Sequence, residues 1–145
     1  MKPIKTWIVL ADTRTVRIAA NEGIGKGVYG LSIQGLAAPQ ITELSDAPGM
    51  TSAAVGPNRG GISDPDLKGQ AAHSFATDIV GYLADALADG SFQRLILIAP
   101  AAMLGLLRQT LTPSLQDVLL GDIAKDLTHL SLDDLPGYLE DMLVV

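Results

Sequence analysis

The sequence predicts an α/β domain: a mixed five-stranded sheet with three N-terminal antiparallel strands and helices on both faces. Three observations lead there. Short alternating or β-branched runs fill the N-terminal part, and helix-period stripes then alternate with apolar runs toward the C-terminus. Arg94-Leu95-Ile96-Leu97-Ile98-Ala99 is apolar at successive positions, the pattern of an inner strand covered on both sides. A length of 145 residues, 48% of them hydrophobic, fits one domain over 1–145 with one core and excludes whole-chain disorder.

Taken in order, Thr6-Trp7-Ile8-Val9-Leu10-Ala11 reads as a buried strand that ends at Asp12-Thr13. Thr15-Val16-Arg17-Ile18-Ala19 alternates and comes so soon after it that the two predict a hairpin. Tyr29, Leu31 and Ile33 alternate with Gly30, Ser32 and Gln34, giving a third strand. Residues 45–68, with Pro48, Pro57 and Pro65 among glycines and few large apolar side chains, predict a long mobile loop. Ala72, Phe75, Ala76, Ile79, Val80, Leu83 and Leu87 then form one continuous helical stripe, closed by Asp89-Gly90-Ser91. After the strand at Arg94–Ala99, Pro100 opens a helix through Leu111, with Met103, Leu104, Leu107 and Leu111 inward. Thr112-Pro113 starts a short helix as N-cap and first helical position, with Gly121 closing it. Ile123-Ala124-Lys125-Asp126-Leu127 predicts the last strand, and Leu135, Leu139, Met142 and Leu143 a final helix beginning near Asp134, which places Pro136 in its first turn. Such an order most often gives a mixed sheet with helices on its faces, as in ribonuclease-H-like domains.

A net charge of −6 argues against wholesale binding to nucleic acid. The charge is uneven, however. Residues 1–70 hold seven of the ten cations against six acids, whereas 71–145 hold three against ten. A local polyanion contact is therefore confined to the first half. No run reaches the roughly 18 to 20 apolar residues of a membrane span, so no membrane insertion is expected. The absence of cysteine and of a legible signal peptide make the cytoplasm the expected location. A homo-oligomer is left open, since four methionines and 4% aromatic residues mark no interface.

Gly25-Lys26-Gly27-Val28-Tyr29-Gly30 matches G-x-G-x-x-G, but from Tyr29 onward the residues alternate like a strand instead of opening a helix, so the motif reads as a hairpin loop and no cofactor is expected. His73 and His129 have no partner at ligand spacing and no metal site is expected. A nuclease needs several carboxylates converging on metal ions. Asp12, Asp126 and Asp78 are the candidates, and Asp12-Thr13 reads better as a hairpin turn. Lys68-Gly69-Gln70, where the loop meets the long helix, pairs a glycine that permits close backbone approach with an amide able to position a water; simple helix entry is the plainer reading.

Trp7-Ile8-Val9-Leu10-Ala11-Asp12, Thr15-Val16-Arg17-Ile18, Leu95-Ile96-Leu97-Ile98-Ala99-Pro100 and Asp122 through Leu130 together resemble the bacterial family of proteins required for attachment to host cells. Lys125-Asp126-Leu127-Thr128-His129 is the most specific of these segments. That family in turn resembles the middle domain of archaeal and eukaryotic peptide-release factors, which is ribonuclease-H-like and carries a Gly-Gly-Gln loop before a helix. Lys68-Gly69-Gln70-Ala71-Ala72-His73 is similar to that junction but has Lys68 at the first glycine, which costs the backbone freedom needed near an ester. The resemblance, the lack of a convincing catalytic constellation and the loop 45–68 as the obvious functional surface together point to a non-enzymatic cytoplasmic binding domain with a protein partner, and the lack of a legible export signal makes its role in attachment an indirect one. The alternative the resemblance implies is a ribosome- and tRNA-associated release or rescue factor using Gly69 and Gln70 to hydrolyse peptidyl-tRNA. A metal-dependent nuclease is the third reading. Arg14, Arg17, Arg59 and Lys68 are the candidate basic binding residues.

Overall fold

The apolar run Thr6–Ala11 forms β1, buried at all six positions. The turn at Asp12 returns the chain along it as β2 (Val16–Asn21), with Val9 opposite Ile18. A glycine-rich loop leads to β3 (Tyr29–Leu31), antiparallel to β2. Next come α1 (Asp64–Ala88), β4 (Arg94–Ala99), α2 (Ala101–Thr110), α3 (Pro113–Val118) and β5 (Leu119–Ala124), and after them a 3-10 turn (Leu132–Asp134) and the single turn α4 (Pro136–Leu139). The computed structural model describes residues 4–31, 64–140 and 142, and for 64–68 the backbone alone. The sheet has five strands in the order β3-β2-β1-β4-β5, with β1, β4 and β5 mutually parallel and the three N-terminal strands antiparallel. The mixed α/β architecture is as the sequence predicts.

Strand alternation splits the core into two layers. Trp7, Val9, Ala11, Ile18, Leu95, Leu97 and Ala99 face α1, α2 and α3, meeting Phe75, Ala76, Ile79, Leu83, Met103, Leu104, Leu107 and Leu115. Ile8, Leu10, Ala19, Ile96 and Ile98 face the other way, toward Leu127, Leu135 and Leu139 of the C-terminal segment. Thr112 caps α3 as expected, its hydroxyl accepting from the Leu115 N–H at 3.2 Å with Pro113 in the first turn.

Three boundaries move. The long helix begins at Asp64, so 64–68 is helical and not part of the expected loop; Pro65 is tolerated in a first turn and Asp64 and Asp66 favour the helix amino end. The apolar stripe starts at Ala72, the first buried residue of the helix among its described side chains. The remainder of the expected loop, 45–63, lies outside the described residues, as does Ile33 of the third strand. The last strand is Leu119–Ala124 and not 123–127, with Leu127 beyond it in the second core layer. Gly121 therefore does not stop a helix. It lies inside the strand, where a Cβ would come within 2.6 Å of Met142 Sδ. As an edge strand, β5 is only half-covered, which blurs its apolar signal. Finally, the expected last helix is a 3-10 turn and then α4, with Pro136 in its first turn; Leu143 lies outside the described residues.

Candidate functional site

The strands β1, β4 and β5 all end on one side of the sheet, the side where open α/β sheets bind ligands. Asp12, directly after β1, closes the hairpin. Its Oδ1 accepts from the backbone N–H groups of Arg14 and Thr15, both at 2.7 Å, and from the Thr15 hydroxyl at 3.1 Å. Two residues past β5, Asp126 makes an equivalent turn, with Oδ1 accepting from the Thr128 N–H at 3.1 Å and the Thr128 hydroxyl at 2.7 Å. These bonds, the hydroxyl first, hold the Asp126 carboxyl below its ordinary range, with the nearby His129 adding to the effect and desolvation opposing it. The Thr128 side chain also lies 3.5 Å from the second Asp12 oxygen, so the two turns meet over one buried hydroxyl. From β2, Arg17 Nη1 donates to the carbonyls of Thr128 and Leu130, both at 2.8 Å. A single knot thus fixes the ends of β1 and β5 to each other.

The long helix reaches the same end. Trp7, near the start of β1, stacks on Tyr82 of α1 with ring centroids 6.3 Å apart, and α1 leads through a short turn into the start of β4. The helix therefore runs against β1. Gly69 is thirteen residues before Tyr82, about 20 Å along a helix, while Asp12 is five residues past Trp7, about 17 Å along a strand. Gly69 and Gln70, both exposed, consequently stand about level with Asp12.

Of the basic residues, Arg14 is exposed in the hairpin turn, and half-buried Arg17 is engaged with the two carbonyls. Lys68 is helical in α1, and Arg59 lies outside the described residues. Lys68-Gly69-Gln70 does not stand at a loop–helix junction as expected, but inside the second turn of α1, where Gly69 keeps a helical backbone. Asp12 and Asp126 do approach each other; Asp78 does not join them, and among the described residues no three His, Cys, Asp or Glu side chains are grouped to hold a metal. His73 and His129 are exposed. The glycine motif is a loop between strands: buried Asn21 donates to the carbonyls of Gly23 at 3.0 Å and Gly27 at 2.7 Å, and Gly23, Gly25 and Gly27 all have positive φ. The reading from sequence missed Thr128 as the centre of the knot. The signal was the Asp-x-Thr spacing of Asp126 and Thr128, which suits an Asx turn.

A family model described as Protein required for attachment to host cells matches residues 7–139. A search of curated proteins finds no match.

Proposed function

The chain belongs to the family of proteins required for attachment to host cells, and from that premise we propose that it is a binding domain whose recognition surface is the rim at the carboxyl ends of β1, β4 and β5. The observation that carries this reading is the knot itself. Asp12, Asp126, Thr128 and Arg17 bond one another and their turns, so their chemistry is spent on holding a scaffold from which Arg14, Gln70 and His129 project into solvent. A fixed polar rim limits the ordering entropy lost on binding. In this reading the domain works inside the cell, contacts a protein partner and influences attachment indirectly.

The test is complementation. Cells lacking the gene should regain attachment with the parent and fail to regain it with an Arg14→Glu, Gln70→Glu variant whose circular dichroism is unchanged. Full attachment with that folded variant would overturn the rim as the surface. A membrane-impermeant amine label on intact cells should leave the protein unmodified, and labelling would overturn the intracellular placement.

Peptide release is the second reading, favoured by the exposure of Gly69 and Gln70 at the rim. It requires ester hydrolysis of ribosome-bound peptidyl-tRNA by the parent, lost in Gln70→Ala. That result would replace the binding reading with an enzymatic one, whereas no hydrolysis by the parent removes the release reading.

A further inference from the structure

We infer that residues 125–140 form a strap that opens from the sheet as a unit while the remainder of the domain stays folded, with Arg17 as its latch. The inference rests on packing and hydrogen bonding and is independent of the rim reading. The strap has no strand and no helix longer than four residues. Its own backbone bonds are local: Leu130 to Leu127, Asp134 to Ser131, Leu135 to Leu132 and Tyr138 to Leu135 each span three residues, and Lys125 lies over the Tyr138 ring within the strap. None of these depends on the sheet.

The polar attachment to the sheet is narrow. Among the described residues, the strap is bonded to the rest of the chain by the two Arg17 donations at 2.8 Å and by the Thr128 hydroxyl at 3.5 Å from Asp12. The first two come from one nitrogen of one side chain, so losing Arg17 removes both short bonds together. The apolar attachment is buried Leu127, Leu135 and Leu139 on the second core layer, with Leu130 and Leu132 packed half-buried beside them. Beside the latch, a half-open cleft of about 190 Å³ separates Leu132 from part of the surface formed by Leu10, Arg17 and Leu31, while Leu132 itself packs closely over Gly30. Few long-range bonds and locally closed turns are the features of a segment that opens below the free energy of global unfolding. Opening bares Ile8, Leu10, Ile96 and Ile98 and separates Thr128 from Asp12, so the strap also governs the geometry of the rim.

Native-state hydrogen exchange at low urea tests this on the full chain. The amides of Leu130, Leu135 and Tyr138 should exchange together, faster and with weaker urea dependence than those of Val9 and Leu97. In Arg17→Ala the strap amides should exchange about ten- to a hundredfold faster, the loss expected for hydrogen bonds from a charged donor, while Val9 and Leu97, which exchange through global unfolding, are accelerated by no more than that factor and remain slower than the strap. Arg17→Lys, which keeps the charge without the guanidinium geometry, should fall between and takes the place of Arg17→Ala if that variant does not fold. Strap and core amides exchanging at one rate with one urea dependence in the parent would overturn the strap. Separate opening that neither variant accelerates would overturn Arg17 as its latch.

Discussion

The two faces of the sheet bury their residues equally well but hold their covers differently. Ile96 and Leu97, neighbours on β4 that point to opposite sides, are both fully buried. Leu97 lies under three helices of 25, 10 and 6 residues, which also pack on each other. Ile96 lies under a segment whose regular structure amounts to a three-residue 3-10 turn and a four-residue helix. Burial therefore measures how completely a side chain is covered, not how cooperatively the cover is attached.

Matched truncations sharpen the contrast most strongly. Phe75→Ala opens a hole in the helical layer and should cost about 3–5 kcal/mol, read as a lower urea midpoint with an unchanged slope. Leu135→Ala is an equally buried truncation under the strap. Its cost to global unfolding is capped at the free energy of closing the strap, because beyond that point the strap simply stays open. It should shift the midpoint less than Phe75→Ala does and raise strap exchange instead. Equal midpoint shifts would make the two faces equivalent.

Acid should act most on the strap face. The Asp126 carboxyl is held below its ordinary value of 3.8, chiefly by the Thr128 hydroxyl and then by the Thr128 N–H. A depressed folded value means the stabilisation is present above pH 3.8 and is lost as pH falls through the folded value. Protection factors of Leu130 and Leu135, corrected for intrinsic exchange, should therefore fall below pH 3.8 while that of Leu97 changes less. Asp126→Asn should flatten this acid limb, and an unchanged limb in that variant would assign it to another carboxylate.

The same asymmetry explains what the sequence disclosed. The helical face was legible because Ala72 through Leu87 repeats at helical spacing and because Thr112-Pro113 is a local capping signal. The inner strands were legible because β1 and β4, past their first residues Thr6 and Arg94, are covered on both sides and apolar at every position. The strap was misread, as Leu135, Leu139 and Met142 suit a helix that, among the described residues, extends for one turn. Its form comes from Asp126, Thr128 and Arg17, and the bonds to Arg17 span more than a hundred residues of sequence. Asp12 and Asp126 were named as candidates, but that they meet over Thr128 depends on β4 standing between β1 and β5. No local spacing encodes that neighbourhood.

Met142, two residues past the strap, rests on β5 at Gly121, which gives a smaller test of how the chain beyond the strap is seated. A Cβ there would meet Met142 Sδ at 2.6 Å and Cγ at 3.3 Å, both in a flexible side chain. Gly121→Ala should therefore cost about 1 kcal/mol, at the low end of overpacking. Met142→Ala in the same chain should recover most of that loss if the contact is the cause. An additive double variant would place the cost in the β5 backbone.

Trp7→Phe should have the smallest effect, and for a reason that belongs to the well-held face. The indole stacks on Phe92 at 4.7 Å and Tyr82 at 6.3 Å, but its Nε1–H is buried without a hydrogen-bond partner among the described residues. An unpaired buried donor costs about 1–3 kcal/mol of desolvation, which offsets much of what the larger ring gains in apolar contact. Phenylalanine removes the donor and keeps a stacking ring. The urea midpoint should move by less than about 0.5 kcal/mol equivalent, well inside the effect of Phe75→Ala. A loss of several kcal/mol would mean that the indole N–H has a partner in solution, and would make the start of β1 a polar contact instead of a purely packed one.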